Sequence, residues 1–305
     1  MNYLMSLNNL RLPLFIILLG LQNGLILSTT TNQNSIDLLT PDEATGNALM
    51  AQLKLEVANC KIRFENLLTN DPKLDGVYVE KEHLPTLYNL IDAVVSKAKI
   101  ANFDLVAIIF KGYQARNCYV KADSGATRKL VIGCELLENF TYFELLAVLG
   151  HEVGHVKLNH IDRQNSVIVG VSLVEGMIIG TLIQGVELYN IYIEGSRWNA
   201  IKGHCKYTLP GLVTLGITAD CVIKYLRRCK EYEADRFSYE IIHQPDALIS
   251  ALYKLDELEF AKNPVVKSEN WFIKSIKNLG NKHPSNEKRA AYLTQLAKQA
   301  NKVKL

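Results

Sequence analysis

The segment His151-Glu152-Val153-Gly154-His155 places two imidazoles four residues apart, with a carboxylate directly after the first. On a helix, side chains four apart share a face, so His151 and His155 can reach one metal ion. Glu152 then stands where its carboxylate can take a proton from a metal-activated water. A catalytic metal needs a third protein ligand and keeps its fourth position open. Glu231 is the candidate, in Arg227-Arg228-Cys229-Lys230-Glu231-Tyr232-Glu233-Ala234-Asp235. Glu233 cannot share the metal with it, because helical residues two apart diverge by about 200°. Asp235 lies one turn past Glu231 and suits a supporting role, accepting the free ring N–H of a ligating histidine and so fixing its tautomer. Cys229 falls on the other side of that helix and is expected to pack. His160 is expected nearly opposite the ligand face, packing or meeting solvent. His83, His204 and His243 have no evident partner and read as surface or satisfied core residues.

These groups need two helices and a support. Phe143 to Gly150 is mostly apolar and predicts a buried helix running into the histidine motif. Thr40-Pro41-Asp42-Glu43 predicts an earlier helix start, with Thr40 as cap and Pro41 at the first helical position, continuing to about Leu67. A second amphipathic helix fits Leu84 to Ala98. Leu105–Phe110, Asn117–Val120 and Leu130–Ile132 predict strands, and a last helix fits Ser285 to Gln299. The class is therefore α+β and mainly helical, with a small sheet before the metal-motif helix.

Between the motifs, Val167 to Leu188 is apolar, Gly-rich and long enough to cross a bilayer. It also carries Glu175, Gln184 and Glu187, and a central carboxylate costs roughly 2.5–3.5 kcal/mol on insertion scales. A second apolar run covers Leu209 to Ile223. The expectation is a buried helical hairpin over 166–226, with a membrane hairpin as its rival.

Three blocks together resemble the HtpX, CAAX prenyl protease and OMA-type family of gluzincin peptidases: Glu144–His160 (ELLAVLGHEVGHVKLNH), Arg228–Asp235 (RCKEYEAD) and His283–Arg289 (HPSNEKR). The match runs over roughly residues 45 to 300. The resemblance implies a zincin-like domain holding one zinc per chain on His151, His155 and Glu231. It implies Glu152 as general base, Asp235 as a support behind the ligands, and protein or peptide substrates. His283 is its candidate for stabilising the oxyanion. Asn117, in Arg116-Asn117-Cys118-Tyr119-Val120, matches an Asn-Ala-aromatic segment near the strand that pairs with substrate, although Cys118 replaces the usual Ala and no Pro precedes the Asn. The family includes both integral membrane enzymes and exported soluble ones.

The remaining chain sets the bounds. With 305 residues and 48% hydrophobic content, a sizeable core is available. The formal charge of +3 and the lack of a basic, aromatic-interleaved stripe give no reason to expect nucleic acid. Residues 1–28 read as a signal peptide or N-terminal hydrophobic anchor: the apolar run Leu12–Leu27 is followed by Ser28-Thr29-Thr30-Thr31. Residues 29–305 form the peptidase domain. Six cysteines without C-x-x-C spacing disfavour a zinc ribbon and allow some pairing after export. The reading is an exported zinc endopeptidase, periplasmic or secreted, with membrane association as an option. Its rivals are an integral membrane protease of the CAAX/HtpX type and a non-catalytic, zinc-stabilised binding protein.

Overall fold

The metal-motif helix, Tyr142–Lys157, begins with a reciprocal cap. The Thr141 side chain accepts from the Glu144 N–H, while the Glu144 carboxylate accepts from the Thr141 N–H at 2.7 Å. The surrounding architecture comes from a computed structural model, which describes residues 37–70, 76–100, 105–111, 113–122, 128–189, 206, 209–260 and 284–303. Elements follow in the order α1 (Glu43–Asn70), β1 (Gly76–Val79), α2 (Pro85–Ala98), β2 (Leu105–Ile109), β3 (Cys118–Ala122), β4 (Arg128–Gly133), α3 (Cys134–Asn139), α4 (Tyr142–Lys157), α5 (His160–Tyr189), α6 (Leu209–Ile242), α7 (Pro245–Phe260) and α8 (Asn286–Val303). The fold is mainly helical with one small sheet before α4, as the sequence predicts.

The sheet runs in the order β1-β2-β4-β3, with β2 and β4 parallel and both outer pairs antiparallel. Strand β1 is an addition to the three strands expected from sequence. Gly76–Val79 is too short to show alternation, and only pairing with β2 makes it a strand. Val106, Ile108, Leu130 and Ile132 are fully buried, and β3 is an outer strand beside α4. Helix α4 packs against α2, α6, α7 and β3, so it is enclosed on nearly every side. A helix that is apolar almost all round belongs in a core, and this one carries its polar residues inward.

The first helix starts later than expected. Asp42, not Thr40, provides the cap, its carboxylate accepting from the Thr45 N–H at 2.7 Å. Helix α7 is a further addition; it packs against α4 and α8.

The hairpin departs most from expectation. In α5 the 21-residue span Asn165–Gly185 has none of its length buried in the protein. Val169, Leu173, Val174, Met177, Val213, Ile217 and Tyr225 all stand exposed. The buried-hairpin expectation is therefore corrected. A polypeptide body large enough to cover two such long helices does not pack around them among the described residues.

Cys60, Cys118, Cys134, Cys221 and Cys229 are free thiols, so the pairing allowed by the cysteine count is not made among the described residues. His83 lies beside Phe64 with a buried, unpartnered Nδ1 rather than as a satisfied core residue. His243 is exposed and ends α6 in the left-handed region, at φ 57. Residues 1–28, His204 and Cys205 lie outside the described residues.

Candidate active site

Two helices must approach closely for a ligand on one to meet ligands on the other. Gly150 and Gly154 on α4 face Ser238 and Ala234 on α6. A Cβ at Gly154 would lie 3.3 Å from the Ala234 backbone, and one at Gly150 2.9 Å from Ser238 Oγ. The Ser238 hydroxyl in turn donates to the Ala147 carbonyl at 2.7 Å. This seam of small residues brings Glu231 and Asp235 up to the histidine face of α4.

There, His151 Nε2 and His155 Nε2 stand 3.1 Å apart. Glu231 Oε2 is 3.5 Å from His151 Nε2, and Glu231 Oε1 is 3.7 Å from His155 Nε2. One donor atom from each of the three side chains fits within a 4.8 Å group, a set that could hold a metal ion. Behind it, Asp235 is fully buried and accepts from His151 Nδ1 at 2.9 Å, with His151 Nε2 on the side of His155 and Glu231. These four side chains, singled out by spacing in the sequence, meet in one place in the fold.

Arg289 joins them without having been expected there. This buried residue of α8 donates its Nε to Asp235 Oδ2 at 2.8 Å and a second guanidinium nitrogen to Asp235 Oδ1, a bidentate pair. Its Nη1 is 3.8 Å from Glu231 Oε2. Arg289 closes the His283–Arg289 block and sits within the first turn of α8, which is the one signal that could have found it.

His160 is corrected as well. It is buried, and its Nδ1 lies 2.8 Å from Nδ1 of His155. The helical-angle argument fails because α4 stops at Lys157 and Asn159 turns through φ 53, so His160 begins a new helix and its side chain lies at the site. Glu233 bonds to His160 Nε2 at 3.0 Å instead of approaching the candidate ligands. His283 lies outside the described residues.

Glu152 is buried, and desolvation together with the Glu231 charge raises its carboxyl to about 7, against the lowering influence of His151, Arg289 and the Val120 N–H. Burial and the Arg289 charge push His151 down, but Asp235 and Glu231 outweigh them and hold it at about 9. Burial and the neighbouring His151 bring His155 down to about 3.

A cavity of about 630 Å³ opens in front of these groups. One wall is β3 and the residues just before it, from Arg116 to Val120; apolar side chains of α7, Leu248, Leu252 and Leu255, line the cavity as well. The Val120 N–H hydrogen-bonds toward Glu152, and the Cys118 N–H is taken by Asn117 Oδ1 at 3.0 Å, so neither is used in the β4 ladder. The edge of β3 that is not paired with β4 thus faces the cavity. Asn117 sits exposed at its entrance, its side-chain N–H donating to Gln114 at 3.2 Å.

The model of peptidase family M48 matches residues 83–297, which is more than half of the chain and contains all of these groups. The chain belongs to peptidase family M48. Among M48-like relatives, it is 29% identical over 181 residues to "Protease HtpX homolog" of Methanothermobacter thermautotrophicus, covering 58% of this chain and 62% of that protein. It is 26% identical over 234 residues to "Protease HtpX homolog 2" of Methanosarcina acetivorans, covering 72% and 76%. The crystal structure of S. mikatae Ste24p shares the fold, with a TM-score of 0.51 at 18% identity over 80% of this chain. This chain spans 58% of the Ste24p chain and less than two thirds of the Methanothermobacter relative.

Proposed function

We propose that this M48 peptidase is a zinc-dependent endopeptidase, with one zinc per chain held by His151, His155 and Glu231. The spacing of the three donors carries the reading. Atoms about 2.0–2.1 Å from a common tetrahedral centre stand about 3.3 Å apart; the separations here are 3.1, 3.5 and 3.7 Å. Three protein donors leave the fourth position for water or substrate, as in catalytic rather than structural zinc sites. Bound there, zinc would supply Lewis-acid polarisation of the scissile carbonyl and a more acidic water.

The chain's own residues do the rest. An extended peptide adds to the outer edge of β3, taking over the Cys118 and Val120 N–H groups from Asn117 and Glu152, and Asn117 guides its entry. Glu152, raised by burial toward neutral pH, accepts the proton of the attacking water and returns it to the departing amine. Asp235 holds the His151 ring, and Arg289 keeps Asp235 ionised and fixed. His283 is our candidate for the donor to the developing oxyanion. A non-catalytic zinc protein is disfavoured by Glu152, a buried carboxylate with no role in holding two helices together.

A second observation favours a membrane setting. The exposed apolar helix Asn165–Gly185 suits protease action beside a bilayer, and residues 1–28 suit export or anchoring of the chain. Incubating the purified full chain with zinc and an unfolded protein substrate tests the enzymatic reading. Cleavage at internal bonds, stopped by a chelator and restored by zinc, supports it; cleavage indifferent to chelation overturns it.

A further inference from the structure

Two of the three candidate ligands already have an evident support: Asp235 behind His151, and Arg289 beside Glu231. His155 has no carboxylate at its far nitrogen. Its Nδ1 meets His160 Nδ1 at 2.8 Å, and His160 Nε2 meets Glu233 Oε2 at 3.0 Å. The His160 ring is buried, and its backbone carbonyl accepts from Lys230 Nζ at 2.7 Å, which ties the start of α5 to α6. Glu233 is half-exposed and so links this chain of bonds to the surface.

The direction of every bond follows from one requirement. If His155 gives its Nε2 lone pair to a metal, its proton must sit on Nδ1. That N–H can only donate, so His160 must accept with a bare Nδ1 and carry its own proton on Nε2, where Glu233 accepts it. Each group then has one compatible role, and no two donors face each other. A histidine in place of the more usual carboxylate or carbonyl still satisfies the rule that ligating imidazoles donate their second N–H.

We infer that His160, oriented by Glu233, is a positioning residue that fixes the tautomer and ring angle of His155 for metal binding. This rests on the zinc reading of the site. It also accounts for the turn at Asn159: the left-handed residue breaks α4 from α5 so that the first side chain of α5 lies behind the ligand.

Zinc affinity of the full chain, measured by competition with a chromophoric chelator, tests it without reference to hydrolysis. His160→Phe keeps the ring volume but removes the acceptor, and should weaken zinc by about 10–100-fold. His160→Asn places an oxygen near the original Nδ1 and should recover most of that loss. Glu233→Ala, a change at a half-exposed position that leaves the fold intact, should weaken zinc by about 2–10-fold, the worth of one hydrogen bond. In the cobalt-substituted protein, the visible ligand-field bands should shift in His160→Phe and return in His160→Asn. Wild-type affinity in His160→Phe overturns the inference alone, as does an Asn variant as weak as the Phe variant. A wild-type chain that binds no zinc overturns the zinc reading, and this inference with it.

Discussion

Glu152 is a carboxylate in a buried site, and that placement sets its reactivity. Desolvation lifts it to about 7, close to where a general base is most effective. Glu152→Gln should keep zinc, because shape and ligands persist, while hydrolysis falls by about a hundred- to ten-thousand-fold. Metal content and cleavage measured on the same sample check this; cleavage near the wild-type rate would sink the mechanism. Glu231→Ala should abolish tight zinc binding, whereas Glu233→Ala should still bind zinc, about 2–10-fold more weakly, as its carboxylate meets His160 and not the donors. Asp235 and Arg289 behave as a unit. Arg289→Met leaves a fully buried carboxylate without its bidentate partner, which should cost about 3–5 kcal/mol of stability. Chemical denaturation of the variant gives the number, and a loss below about 1 kcal/mol would mean that solvent reaches Asp235 after all.

At the scale of elements, the site exists because α4 and α6 touch along small residues. Gly154→Val should push Phe237 and the Ala234 backbone away, widening the gap between Glu231 and the histidines. Overpacking of this kind costs about 1–3 kcal/mol, and zinc affinity should drop with it. Unfolding and metal titration would show both effects together; a stable variant with normal affinity would show that the helices can separate without harm. The cap of α4 has its own pH signature. Burial pushes the Glu144 carboxyl up, but bonds from Lys254, Ser250 and the Thr141 N–H outweigh it, so its folded pKa lies below the ordinary 4.5. Stabilisation from this group is therefore complete above 4.5 and disappears as pH falls through the lower folded value. Glu144→Gln should cost about 1–3 kcal/mol at neutral pH and clearly less at pH near 3. Equal losses at both pH values would contradict the assignment.

For the whole molecule, the question is what covers the hairpin. Helix α5 has 30 residues, about 45 Å, and its exposed apolar span is about 30 Å long, the thickness of a hydrocarbon core. Its first residue, His160, and the C-terminal half of α6 belong to the candidate site, so any membrane segment continues directly into the chemistry. The full chain should pellet with membranes and be released by detergent but not by high salt. Replacing Val169, Leu173, Val174 and Met177 with polar residues should free it from membranes without abolishing zinc binding. A wild-type chain that stays monomeric and soluble without detergent would rule this out.

The pairs His151–His155 and Glu231–Asp235 were legible from spacing, because a helix converts a separation of four residues into a shared face; that the two pairs belong to one site, with Glu152 beside them, came from combining the motifs and from the family resemblance. The strands β2 to β4 and the helix that carries the histidines were legible for similar local reasons. Arg289, His160 and the β1 strand were not. Arg289 meets Asp235 only when α8 docks on α6, and Gly76–Val79 is a strand only through pairing with β2. His160 obeys no helical angle, since one left-handed residue separates its helix from that of its partner. The hairpin shows the same division from the other side. Its composition pointed to a buried hairpin with a membrane helix as rival, and only the packing of the rest of the chain, which leaves it exposed among the described residues, overturns the buried reading. Periodicity along one element is written in the sequence; which element meets which is decided by the competition to bury surface across the whole fold.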